Sequence, residues 1–135
     1  MARERRVIVA CCGGSYTGQL ACRSAVRLAR EGYGDLVAVA AVAAGCRPGI
    51  EQVLAADDVV VIDGCETGCE TGCARAILDR LGLEPDQYIV VAGLPLRSTG
   101  YLGIDPQDVD AVVSAGWVRD AGTCIPRKRK DHGAD

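Results

Sequence analysis

Asp58-Val59-Val60-Val61-Ile62-Asp63 sets four apolar residues in unbroken succession between two carboxylates. A strand with one wet face alternates apolar and polar residues. An unbroken run instead suits a strand covered on both faces, as in a parallel sheet between layers of helices. Arg6 to Ala10, Leu36 to Ala43 and Gln87 to Ala92 have the same character and are predicted as further strands. Between them the period lengthens. From Thr17 to Arg30, Ala21, Cys22, Ala25, Val26, Leu28 and Ala29 form an apolar stripe opposite Gln19, Arg23, Arg27 and Arg30, and Gly32 and Gly34 close the helix. Shorter helices are predicted over Ile50 to Ala56, after Pro48-Gly49, and over Ala74 to Leu81, ended by Gly82. A last helix runs from Pro106 to Ala115 with Asp105 as N-cap. Alternating strands and helices of these lengths predict a small doubly wound, three-layer α/β sandwich. Its parallel sheet would have about four strands in the flavodoxin-like order 2-1-3-4.

A chain of 135 residues suits one domain, here 1–121, followed by a basic tail, 122–135, that lacks periodicity and reads as a frayed, solvated terminus. The formal charge of −3 argues against general nucleic-acid binding. No run approaches the roughly 18 apolar residues of a membrane span. The apolar stretch Val7 to Ala10 is too short for a signal-peptide core, so a cytoplasmic protein is expected. In a reducing compartment the eight cysteines are metal ligands or reactive thiols rather than structural disulfides.

Three of these thiols, Cys65, Cys69 and Cys73, crowd the loop after the third strand, each preceded by a glycine. Open parallel sheets bind ligands beyond the carboxyl ends of their strands, where the strand order reverses, here between strands one and three. Cys12 ends the first strand and Cys46 follows the second, so separate loops deliver sulfur to one rim. Thiolates hold zinc tetrahedrally at about 2.3 Å. They also suit iron–sulfur clusters and copper(I), and the three-residue gaps in this loop do not specify zinc. The repeated Cys-Glu-Thr-Gly unit reads alternatively as a local duplication that adds a spare thiol. Cys12 lies in a glycine-rich strand-to-helix turn, where the helix N-terminus would stabilise a thiolate, and it is the natural fourth ligand.

The remaining thiols are less suggestive. Cys11 is expected to face the core, Cys22 to act as a small buried hydrophobe, and Cys124 to be a free thiol. His132, the sole histidine, sits in the tail, which disfavours any scheme with a histidine base. Asp63 would either orient the loop by accepting backbone N–H groups or cap a strand end.

Cys12-Gly13-Gly14, Gly18-Gln19-Leu20, Gly32-Tyr33-Gly34, Val61-Ile62-Asp63-Gly64-Cys65 and Cys73-Ala74-Arg75 stand in an order and spacing that resemble the DGC-domain proteins, over about residues 6 to 95. These are small α/β proteins with four candidate chelating cysteines, regarded as zinc-binding. The resemblance implies Cys12, Cys65 and Cys73 as ligands. This sequence departs from the pattern twice. An extra Glu-Thr-Gly-Cys unit makes Cys69 and Cys73 compete for one role, and Ala38 stands where the family tends to carry a cysteine. Cys46 or the added loop cysteine would then replace that ligand.

The leading expectation is a zinc-binding protein with Cys12, Cys65, Cys69 and Cys73 as ligands and Cys46 as alternate. An iron–sulfur cluster on the same cysteines, or a persulfide or disulfide relay among Cys12, Cys65 and Cys69, is the second. A third is phosphotransfer at Cys12, whose strand, Cys-Gly-Gly turn and helix are similar to phosphocysteine domains of sugar phosphotransferase systems. Cysteine phosphatases need an arginine six residues after the cysteine, and Gly18 occupies that position.

Overall fold

The computed structural model describes residues 4–64, 72–98, 100 and 102–120. Four strands, β1 (Arg6–Ala10), β2 (Asp35–Leu36), β3 (Asp58–Asp63) and β4 (Gln87–Val90), form one parallel sheet in the order β2-β1-β3-β4. Five helices accompany it: α1 (Tyr16–Arg30), α2 (Val39–Ala43), α3 (Arg47–Leu54), α4 (Cys73–Arg80) and α5 (Pro106–Asp120). The expected α/β sandwich and its strand order are therefore present. No helix among the described residues is long and apolar enough to cross a membrane.

The two faces divide the apolar runs by parity. Ile8, Ala10, Val60 and Ile62 pack with Leu20 and Leu28 of α1 and Val112 of α5. Val7, Val9, Val59 and Val61 pack with Val42 of α2, Val53 of α3 and Leu78 of α4. Every residue of β3 is buried, the consequence of a central strand covered on both sides. At roughly 1.5–3 kcal/mol for each fully buried aliphatic side chain, this double burial is what holds the layers together.

Three elements differ from the sequence reading. The strand expected over Leu36 to Ala43 pairs only at Asp35 and Leu36; Val37 still donates to Ile8, and the chain then turns into α2. Val39 to Ala44 is mostly alanine, the best helix former, and a short apolar run has no periodicity to distinguish strand from helix. Gly45, at φ +80°, ends α2 in a Schellman cap: its N–H reaches Val42 and that of Cys46 reaches Ala41. The fourth strand stops at Val90, opposite the last residue of β3, and a 3₁₀ turn takes Val91–Gly93. The last helix continues past Ala115 because Gly116 faces Leu28 and Tyr33, where an added Cβ would lie 3.3 Å from Leu28. Here glycine marks the close approach of α5 to α1, not a stop. The shorter helices shift at their ends: α3 starts at Arg47, with Pro48 in its first turn, and α4 begins at Cys73.

The ends of α1 and α5 meet at the rim beyond the strands. The Tyr16 hydroxyl donates to Asp108 at 2.5 Å and accepts from the Asp105 N–H at 3.2 Å. Asp108 also accepts the N–H groups of Arg97 and Ser98, at 2.7 and 3.0 Å. Burial pushes its carboxyl up, but these donors outweigh that effect and its pKa lies below the usual value. A depressed carboxyl contributes stability that is complete above its unfolded pKa, about 3.9, and is lost as pH falls through the lower folded one. Chemical denaturation between about pH 5 and pH 2 is thus expected to show a smaller loss of stability for Asp108→Asn than for the native chain. Equal acid slopes would contradict this linkage.

Candidate functional site

The rim between β1 and β3 is built around one carboxylate. Asp63, the last residue of β3, is 1% exposed and accepts the N–H groups of Ala74 at 2.8 Å and Arg75 at 3.0 Å. It acts as a distant N-cap for α4, whose own cap position is Gly72 and supplies no side chain. The Tyr88 hydroxyl of β4 adds a third bond at 2.9 Å. Burial, followed by this hydrogen bond and the charge of Asp63, raises the Tyr88 phenol above its ordinary pKa. A Cβ on Gly72 would lie 2.1 Å from the Asp63 carboxylate, so only glycine lets the chain return this closely. The cysteine loop therefore leaves and re-enters the fold at a single side chain.

Gly64 fixes the other contact. A Cβ there would meet the carbonyl oxygen of Thr17 at 2.1 Å and the nitrogen of Gly18 at 2.6 Å. A Cβ on Gly18 would likewise lie 2.9 Å from the Gly13 backbone. The end of β3 and the turn after β1 thus both rest on the first turn of α1. The pairing Ala10 with Ile62, extended by the Cys11 N–H to the Ile62 carbonyl at 2.9 Å, carries Cys12 level with Gly64, the residue before Cys65.

The turn presents the two adjacent cysteines oppositely, as the sequence led us to expect. Cys11 is buried in the α2–α4 face of the core and Cys12 is exposed. Ser15 caps α1, accepting the Gly18 N–H at 3.1 Å. The Gln19 amide donates to the Gly13 carbonyl at 2.8 Å and approaches the Cys12 sulfur at 3.9 Å.

Cys22 is the residue that sequence reasoning assigned elsewhere. It is half-exposed and lies near the Cys12 thiol. Burial pushes the Cys22 thiol up, and its interactions with Cys12 and Cys11 act in the same direction. Its spacing from Gln19, three residues on a helix, was the available signal, because residues three apart share a face.

Cys73 opens α4 and is exposed, lining a cleft of about 460 Å³ with Val42, Gly45, Ile50, Ile77 and Arg80. Cys46 is the exposed N-cap of α3, next to Gly45 of that cleft and separated from β2 by the whole of α2. Cys12 and Cys22 are thus brought near each other, while Cys73 lines the cleft among α2, α3 and α4 and Cys46 follows its Gly45 in the chain. Cys65, Cys69, Cys124, His132 and the basic tail lie outside the described residues. Among the described residues, no three His, Cys, Asp or Glu side chains gather closely enough to hold a metal ion.

The profile of the DGC domain matches residues 7–115. The chain belongs to the DGC-domain family. The match extends beyond the motif-bearing segment into α5, so it embraces all four strands of this DGC domain. No curated protein and no solved structure gives a significant match.

Two substitutions test this architecture. Gly64→Ala is expected to cost about 3 kcal/mol, because its Cβ would meet backbone rather than a movable side chain; a native denaturation midpoint would contradict the contact. Asp63→Ala is expected to cost about 2 kcal/mol and to speed hydrogen exchange at Ala74 and Arg75 before the rest of the sheet. Unchanged protection of those two amides would show that α4 does not depend on the carboxylate.

Proposed function

We propose that this DGC domain is a cysteine-ligated metal-binding protein that holds Zn²⁺ at the carboxyl rim of its sheet. Cys12 and the loop thiols Cys65, Cys69 and Cys73 are the ligands, with Cys46 as alternate. The observation that carries this reading is the Asp63 clamp: a loop with three thiols is tied at both ends to one carboxylate beside the turn of Cys12. The donor chemistry fits a soft ion, since the adjoining sulfurs of Cys12 and Cys22 are of the kind that thiolate-rich zinc sites use. Zinc there would supply charge neutralisation and a cross-link between loop and turn. The protein's part is to hold the turn, the clamp and α1 in fixed register.

A zinc site of this kind can contribute roughly 10–16 kcal/mol of apparent binding energy in small peptides. Both core layers here pack without it, so the expected metal-free protein is destabilised but folded. Anaerobic purification and elemental analysis, with Cys65→Ser for comparison, test the proposal. Near-stoichiometric zinc in the native chain and its loss in the variant are expected. A native chain that refuses zinc, copper and iron would overturn the reading, and iron with acid-labile sulfide would replace zinc by a cluster.

The nearness of Cys12 to Cys22 favours a second reading, thiol–disulfide exchange. Alkylation at neutral pH separates the two. A relay predicts one thiol far more reactive than its neighbours, whether or not zinc is supplied; a metal site predicts that zinc protects its ligands together.

A further inference from the structure

We infer that the cleft among α2, α3 and α4 binds a small apolar monocarboxylate, of the class of medium-chain fatty acids, with Arg80 as the anchor for its head group. This goes beyond the metal-binding reading and does not depend on it, since neither Arg80 nor the walls formed by Ile50 and Ile77 belong to the proposed ligand set.

Helix α4 supplies one wall. Cys73, Ala76, Ile77 and Arg80 all line the cleft, and they stand at positions i, i+3, i+4 and i+7, one continuous stripe of the helix. The thiol-bearing and guanidinium-bearing residues are about 10.5 Å apart along the axis, at 1.5 Å per residue. Between them the stripe offers only hydrocarbon. Ile50 of α3 and Val42 of α2 line the same space, and both belong to the apolar layer on this face of the sheet. Ala43, Gly45 and Ala76 are small, which leaves the cleft open. Its volume of about 460 Å³ suits a small molecule. Apolar walls with a few placed polar groups are how such sites bury a hydrocarbon body and fix its orientation. A protein partner would need far more, roughly 800 Å² of surface on each side.

Charge decides the head group. Among the described residues lining the cleft, Arg80 alone is charged. Unlike Arg6, Arg27, Arg47 and Arg97, it is paired with no carboxylate among the described residues. The planar guanidinium fork matches a carboxylate through two parallel N–H bonds. The other end of the stripe lies at the start of α4, where the Asp63 carboxylate already takes the Ala74 and Arg75 amides. A second anionic group would meet that negative charge, so the site suits one carboxylate at Arg80 and an apolar tail directed toward Cys73. Arg80 is exposed, which leaves the head group at the mouth of the cleft.

The test uses the full chain as purified, with octanoate as probe and octan-1-ol as its uncharged counterpart. Isothermal titration calorimetry is expected to show one saturable octanoate site. Arg80→Gln should weaken octanoate about 10-fold, the scale of one charge-assisted contact, and leave octanol unchanged. Ala76→Phe, and Ala43→Phe from the α2 wall, should each weaken both probes about 10-fold by filling the cleft, with native circular dichroism. Methyl NMR signals of Ile50 and Ile77 should shift on titration, while that of Val112, on the opposite face of the sheet, stays in place. Absence of saturable octanoate binding, an equal loss of both probes in Arg80→Gln, native affinity in Ala76→Phe and Ala43→Phe, or shifts that extend to Val112 would overturn the inference.

Discussion

The carboxylate of Asp63 is the interaction on which the rim depends. It ends the central strand, caps α4 across the intervening loop and receives the Tyr88 hydroxyl from the neighbouring strand. A buried carboxylate is costly unless it is well satisfied, and here two backbone donors at a helix N-terminus and one hydroxyl satisfy it. The consequence reaches beyond stability. Because the carboxylate at the end of β3 receives the first amides of α4, Gly64 and Gly72 are held close to one side chain. Gly64 and Gly72 are the steric conditions for that grip, each occupying space that a Cβ would need.

The exposed and half-exposed cysteines among the described residues fall into two groups. Cys12 and Cys22 lie near each other at the start of α1, whereas Cys73 lines the cleft among α2, α3 and α4 and Cys46 caps α3. The strand order accounts for this division. β1 and β3 are adjacent at the centre, α1 covers one face at their carboxyl ends, and α4 covers the other. Thiols carried by the turn and by α1 approach from one side of the rim, and the first turn of α4 approaches from the other. Asp63 stands between them, at the end of the strand both sides share.

Much of this was legible in the residues. The run Val59 to Ile62, β-branched throughout, read as a doubly covered strand, and β1 and β3 have the boundaries their apolar runs imply. The opposite orientations of Cys11 and Cys12 followed from strand alternation. Val39 to Ala43 misled because alanine and valine suit a buried helix as well as a strand, and no partner remained beside β2 to decide otherwise. The last helix was read as ending at Ala115, but it continues because Gly116 admits the close approach of α1. Cys22 was assigned to the core since its stripe is broad, and the boundary between sheet-facing and flank positions depends on how α1 is rotated.

The layered class and the central strands are consequences of local patterns, since continuous apolar runs must be covered on both faces. Which sulfurs are neighbours is not a local property. It is set by the register of β1 on β3, by the rotation of α1 against α5, and by a carboxylate that closes a loop over eleven positions from Asp63 to Ala74. Each of these brings together atoms distant in sequence, and only packing the whole chain decides where they meet.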